Sequence, residues 1–449
     1  MDGPRTRRDF LRLAAAAAAV AAGASCGSDK LKGRGAAKDS GERTLRIAQW
    51  SHFVPAYDRW FDDEYTKRWG EAHGIRVVVD HIAVTQMQAR ADAEAAAGSG
   101  HDIFGFVTPP PGLDDQVIDL REIVEKVEST LGKMPPFLER SVLNPRTGKY
   151  FAFVDYWLPN LVQYRADLWG QVEPGRKPDT WDDILRAAPK LKAMGHPVGI
   201  GISDDLDYSY SLLSLMHAYG SSIQDEDGNV TINSAATVEA VKMGVALFRS
   251  GMTDDVLTWD AASDNRFLAS GKGSLILDPI SAIRAIEQQD SELARQIALA
   301  PLPAGPAGRL GPDPIVGYVI WKFSRNQDLA KQFLVDLALN NRETFVRSEY
   351  YSFPAFPGAV PELAELLTND VRAQPPGKYA LLADAPQWMT NLGHPGYTNA
   401  AVEEIFNQFL VPRMFAAAVR GEMTPEESVT AAEAKIKPIF DKWREQGKI

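Results

Sequence analysis

The apolar residues between positions 44 and 107 repeat with two different periods. Thr44 to Trp50 (TLRIAQW), Ile75 to Ile82 (IRVVVDHI) and Asp102 to Val107 (DIFGFV) are short, β-prone runs closed by polar, glycine or proline breaks. Between the first two, Tyr57, Trp60, Phe61, Tyr65 and Trp69 recur at helical spacing, with Pro55 suited to a first turn and Gly70 and Gly74 at the far end. That spacing predicts that most of these aromatics are core. An alanine-rich helix is predicted from Val84 to Ala97. The order β-α-β-α-β calls for parallel strands with helical crossovers. Ligands of such sheets sit beyond the carboxyl ends of the strands, which puts Trp50 to Phe53 and Phe106 to Pro109 on one rim.

The pattern breaks at Tyr150 to Arg165 (YFAFVDYWLPNLVQYR). Two apolar runs flank Asp155, Tyr156, Trp157 and Asn160, with Pro159 among them. A buried strand does not normally carry an acid and a proline in its middle. The stretch therefore reads as a crossing from one lobe to another, with its polar and aromatic side chains facing a ligand. Beyond it, Thr180-Trp181-Asp182-Asp183 is a capping-box start for a helix reaching about Met194. Val198 to Ile202 is a short strand with a polar exit loop, Asp204 to Tyr210, before a helix from Ser211 to Tyr219. A helix from Ala235 to Arg249 follows. Further strands are expected at Ser274 to Leu277, Ile297 to Ala300 and Ile315 to Lys322, and helices over Asp328 to Leu339, Thr398 to Arg420 and Thr424 to Gln446. No internal repeat is evident.

At 449 residues the chain exceeds one ordinary core. Charge is distributed unevenly. Residues 1–43 carry nine Lys/Arg against five Asp/Glu, so the remainder is strongly acidic within a net charge of −11. An acidic body argues against nucleic acid as a partner. Thr6-Arg7-Arg8-Asp9-Phe10-Leu11-Arg12 fits a twin-arginine export signal, and Leu13 to Ala24 is too short to span a bilayer. Gly23-Ala24-Ser25 then precedes Cys26, the one cysteine, in the manner of a bacterial lipobox. Acylation of Cys26 would anchor the mature chain to the outer face of the cytoplasmic membrane; the alternative is an ordinary cleavage near Ala24 that leaves a free thiol. Gly27 to Gly41 reads as a solvated tether.

No paired-histidine, nucleophile-elbow or dinucleotide motif occurs. Gly271-Lys272-Gly273-Ser274 resembles a phosphate loop only superficially, since Arg266 stands where the first glycine belongs. Neither catalysis, nor a cofactor, nor a metal site has positive support. Aromatic and polar residues instead gather at predicted strand exits: Trp50 and His52; Asp155, Trp157 and Asn160; Asp207 and Tyr208; Asp278; Gly317 and Tyr318; Tyr351; and Tyr397. Flat rings for apolar sugar faces, with carboxylates and amides for hydroxyls, suit a small-molecule cleft.

In order and spacing, the chain resembles the extracellular solute-binding proteins of bacterial ABC importers, in the sugar-binding branch that includes maltose-binding protein. LRIAQW followed by a long helix and GIRVVVDHI is similar to that family's first β-α-β unit. Ser99 to Phe104, the crossing at Tyr150 to Trp169, Pro178 to Leu185, Phe267 to Asp278, Pro301 to Gly305 and Asp328 to Leu334 carry the likeness through residues 44–449. The resemblance implies an α/β fold of two lobes, each a mixed, mostly parallel sheet flanked by helices. One lobe would comprise residues 44–154 and 296–342 and the other 155–295 and 343–449, after a signal peptide (1–25) and a lipid-anchored tether (26–43). It implies a monomeric, non-enzymatic receptor that passes a carbohydrate to an ABC permease. Contacts would come from Ser51, His52, Thr108, Asp155, Trp157, Asp207, Tyr208, Asp278 and Tyr397. Pro279-Ile280 and Pro109-Pro110-Pro111 depart from the family's sugar-binding loops. A non-sugar solute such as a glycerophosphodiester or polyamine, and an exported glycan hydrolase, are the alternatives.

Overall fold

The computed structural model describes residues 43–449. The twin-arginine segment, Cys26 and most of the tether lie outside the described residues. Two mixed sheets organise what is described. We label the strands β1 (Thr44–Trp50), β2 (Arg76–Ile82), β3 (Ile103–Phe106), β4 (Phe153–Trp157), β5 (Leu161–Arg165), β6 (Val198–Gly199), β7 (Leu275–Asp278), β8 (Ile297–Ala300), β9 (Ile315–Ile320) and β10 (Phe353–Pro354). The larger sheet has the order β10-β4-β9-β3-β1-β2 and the smaller β8-β5-β7-β6.

The predicted β-α-β-α-β unit is present, with β1 parallel to both β2 and β3. Elsewhere antiparallel pairing is commoner than the family resemblance implies: β9 with β3 and β4, β10 with β4, and β5 with β7 and β8. The reason is topological. Strands such as β5 and β9 arrive from the other sheet and not over a helical crossover, so nothing forces them parallel.

The helix after β1 packs as its spacing predicts, with Tyr57, Trp60, Phe61, Tyr65 and Trp69 all buried. Phe333 meets three of those rings: Phe61, Tyr65 and Trp69. Over Phe61–Tyr65 the helix widens into a π-turn, and Gly74 ends it at φ 63°, a left-handed position that glycine occupies without strain. The capping box at Thr180 is present, starting the helix Trp181–Ala193.

Two boundaries differ from expectation. The helix predicted from Ser211 begins at Leu206, because the Asp205 carboxylate caps it by accepting from the Asp207 N–H. The predicted helix Thr398 to Arg420 divides into Ala400–Asn407 and Leu410–Val419, with Phe409 between them at φ 54°.

The chain passes between the sheets at residues 158–160 and again between β8 and β9. Asp155, Tyr156 and Trp157, grouped from sequence with the second lobe, run in the larger sheet. Ile297–Ala300, grouped with the first, runs in the smaller one. The two passages lie side by side: Leu158 N–H donates to Pro314 O at 3.0 Å, and Asn160 N–H to Asp313 Oδ1 at 3.0 Å. Pro159, having no N–H, sits between the two donors, where no third bond is needed.

Candidate functional site

A narrow cleft opens between the rim of the larger sheet and the helices and loops on the smaller sheet's side. From the larger sheet's rim come Trp50, Phe53 and Val107. Leu158, Pro314 and Tyr351 form its floor, and Asp205, Asp207, Tyr210 and Pro279 close it from the other side. Trp50 is held by its indole N–H, which donates to Tyr156 Oη at 2.9 Å. Across the gap the Thr108 and Tyr210 hydroxyls are 2.7 Å apart and hydrogen-bonded. Gly112 N–H also donates to Glu403 at 2.8 Å. No lysine or arginine lines this cleft.

The smaller sheet's side is acidic. Asp278 ends β7, Asp264 stands on the helix Ser263–Ala269, and Asp207 sits in the first turn of Leu206–Ala218. Asp264 is 1% exposed and Asp278 5%. Burial first, and the neighbouring acids second, hold the Asp207 and Asp278 carboxyls well above the usual carboxylate range. Burial, with the Asp205 charge nearby, pushes Asp264 up to about 7. Asn265, with its amide nitrogen toward the acids, donates to Asp264 Oδ1 at 3.2 Å and Asp278 Oδ2 at 3.0 Å. Oδ2 of Asp207 and Oδ2 of Asp264 are buried and accept no hydrogen bond.

The sequence-predicted residues separate by this geometry. Trp50, Asp207 and Tyr351 line the cleft, Thr108 bridges it, and Asp278 belongs to the acidic cluster beside it. Tyr208 lies beneath, its hydroxyl donating to Asp260 O at 2.7 Å. Ser51 is exposed and outside the lining. Asn160 is part of the paired passage.

Five residues expected at the ligand are core groups of the larger sheet. Trp157 packs on Phe137 and Phe353 and donates to Pro354 O at 3.2 Å; it ends its strand paired on both sides, with Ile315 and Phe353, and Pro159 interrupts only the link beyond it. Asp155 accepts from Asn341 Nδ2 at 2.7 Å, and burial raises its carboxyl to about 7. His52 is stacked between Trp50 and Tyr57 and bonded to Val54 and Ser352; burial lowers its imidazole to about 3. Gly317 sits at a β-bulge against Pro109 and Phe153, and the buried Tyr318 hydroxyl donates to Gln49 Oε1 at 2.8 Å. Tyr397 lines a different cavity, with Gln224 and Arg146.

Sequence reasoning missed Tyr210, Asp264 and Asp313. Tyr210 follows Asp207 at helical spacing, a legible signal once the helix is started at Leu206. Asp264 carries no local signal and reaches the cluster only through tertiary packing. Among the described residues no grouping of His, Cys, Asp and Glu could hold a metal ion, and no helix is long and apolar enough to cross a membrane.

Residues 54–342 match the model of the bacterial extracellular solute-binding proteins, and the chain belongs to that family. A binding protein of Brucella abortus is 24% identical over 324 residues, covering 66% of this chain and 72% of its own. Among solved structures, an ABC transporter solute-binding protein of Thermotoga lettingae bound with α-D-tagatose superposes with a TM-score of 0.74 at 18% identity, covering 89% of this chain and 100% of that one. Maltose-bound MalE3 of T. maritima gives 0.72 at 19%, covering 88% and 99%. The fold is the α/β periplasmic-binding-protein fold, its mixed sheets flanked by helices. The protein is a non-catalytic, extracellular solute-binding protein, which removes the hydrolase alternative.

Proposed function

We propose that the cleft binds a carbohydrate and that the protein delivers it to an ABC permease. The observation that carries this reading is the pairing of aromatic faces, Trp50, Tyr210 and Tyr351, with carboxylates across a closed gap. Rings stack on the C–H faces of a sugar while acids accept from its hydroxyls. The tagatose and maltose held by the structural neighbours support the same class of solute. In this reading the larger sheet and its helices form one lobe, the smaller sheet with the C-terminal helices forms the other, and the paired passages at 158–160 and 313–314 form the hinge. Ligand touching both lobes favours the closed state. Twin-arginine export and acylation at Cys26 would leave the protein anchored outside the cytoplasmic membrane, working as a monomer without a cofactor.

A thermal-stability screen of the purified protein against sugars and polyols tests this. Ligand at a hundredfold above its dissociation constant stabilises by about 2.7 kcal/mol. Silence across all carbohydrates overturns the reading.

A further inference from the structure

We infer that the solute carries a protonated amine, seated between the aromatic wall of the cleft and the carboxylates of Asp207, Asp264 and Asp278. The inference rests on the proposed solute-binding role of the cleft and names the chemistry of what it takes.

Asp207 lines the cleft, Asp264 and Asp278 lie buried beside it on either side of the Asn265 amide, and no basic residue is among the cleft's lining. Two of these acids leave an oxygen, Oδ2 of Asp207 and Oδ2 of Asp264, shielded from solvent and without a donor. The guanidinium whose charge reaches Asp264, that of Arg266, is paired with exposed Asp260 at 2.7 Å. A fourth acid repeats the pattern independently. Asp313 is 2% exposed, lines a smaller cavity next to the cleft that shares Tyr210 with it, and has an Oδ2 that accepts no bond. Tyr210 feels the charges of both Asp207 and Asp313, so acceptors stand on either side of one hydroxyl.

Neutral hydroxyls could satisfy lone pairs here, but they supply no charge, and like carboxylates this close cannot all ionise unaided. An ammonium group supplies three donors and the opposite charge together. Trp50, Phe53 and Tyr351 add the ring faces on which a desolvated cation is held. Anionic solutes, including glycerophosphodiesters, are excluded by the same arrangement. The chemistry fits an amino sugar or a polyamine.

Calorimetric titration of the full chain with glucosamine, spermidine, glucose and maltose tests the inference. Glucosamine is expected to bind at least tenfold tighter than glucose, and Asp264→Asn and Asp278→Asn to shrink that ratio while the melting temperature of the empty protein holds or rises. Spermidine binding without any sugar supports the amine inference and overturns the carbohydrate reading. Glucose or maltose binding as tightly as glucosamine overturns the amine inference and leaves the carbohydrate reading intact. No binding by any of the four overturns both.

Discussion

One helix, Ser281–Gln289, touches two buried charge clusters that solve the same problem differently. At its start, the Ser281 hydroxyl donates to Asp278 at 3.2 Å within a corner where acid faces acid. One turn on, Arg284 is 3% exposed and meets Glu287 at 3.1 Å and Asp370 at 2.5 Å, with the Tyr379 ring 3.8 Å from its guanidinium carbon. Lys378 approaches Glu287 at 3.5 Å, and burial lowers its ammonium to about 8. The second cluster is neutralised from within the chain. The first is not: in the empty protein burial keeps its acids neutral by holding their protons. A buried ion pair says little about function, whereas buried acids left without a partner beside a cleft are what a binding site requires.

The largest test of this contrast is Arg284→Met. It strands Glu287 and Asp370, and urea unfolding is expected to show a loss of about 3–5 kcal/mol. Trp157→Ala should cost a similar 3–5 kcal/mol, as the loss of a buried core indole does; ligand affinity, measured by titration on the fraction that folds, should hold. The opposite pattern, weak binding with intact stability, would return Trp157 to the cleft.

Asp264→Asn should act in the other direction, stabilising the empty protein by about 1–3 kcal/mol by removing one of three competing acids. Its pH signature follows from the raised folded-state values of Asp207, Asp264 and Asp278. Unfolded, these acids lose their protons near pH 3.9; folded, Asp264 keeps its proton to about pH 7, and burial holds Asp207 and Asp278 well above the unfolded value. The empty protein's stability is therefore expected to fall as pH rises from about 4 to 7, because the folded state there binds more protons. Asp205, raised by burial, faces the same cluster and adds to the decline, and Tyr208, raised further by burial, stays neutral. Asp264→Asn should flatten the decline, and a denaturation series at several pH values reads it directly. The smallest effect is reserved for Thr108→Val, which removes the bridge to Tyr210: about 0.5–1.5 kcal/mol less stability, with more of the protein open in small-angle scattering.

The elements that were legible in sequence owe this to local signals. The period of Tyr57, Trp60, Phe61, Tyr65 and Trp69, the capping box at Thr180 and the proline at 159 each act within a few residues. Asp207, read from sequence as part of a loop, lines the cleft from a helix start set by Asp205. Trp157 was misplaced because composition cannot tell a strand that ends on a tryptophan from a loop that presents one; pairing with β9 and β10 decides it. Asp264 was beyond reach, since its surroundings come from residues far along the chain.

The passages at 158–160 and 313–314 have a mechanical consequence. Two extended segments tied by Leu158 to Pro314 and by Asn160 to Asp313 make a short ribbon, stiff to pulling and compliant to torsion. Sliding one lobe past the other would tear both ties at once, while a roll about the ribbon's long axis spares them. In the proposed two-lobe reading, that roll is the motion the two ties leave free, like a wrist's, and the Thr108–Tyr210 contact would be its stop.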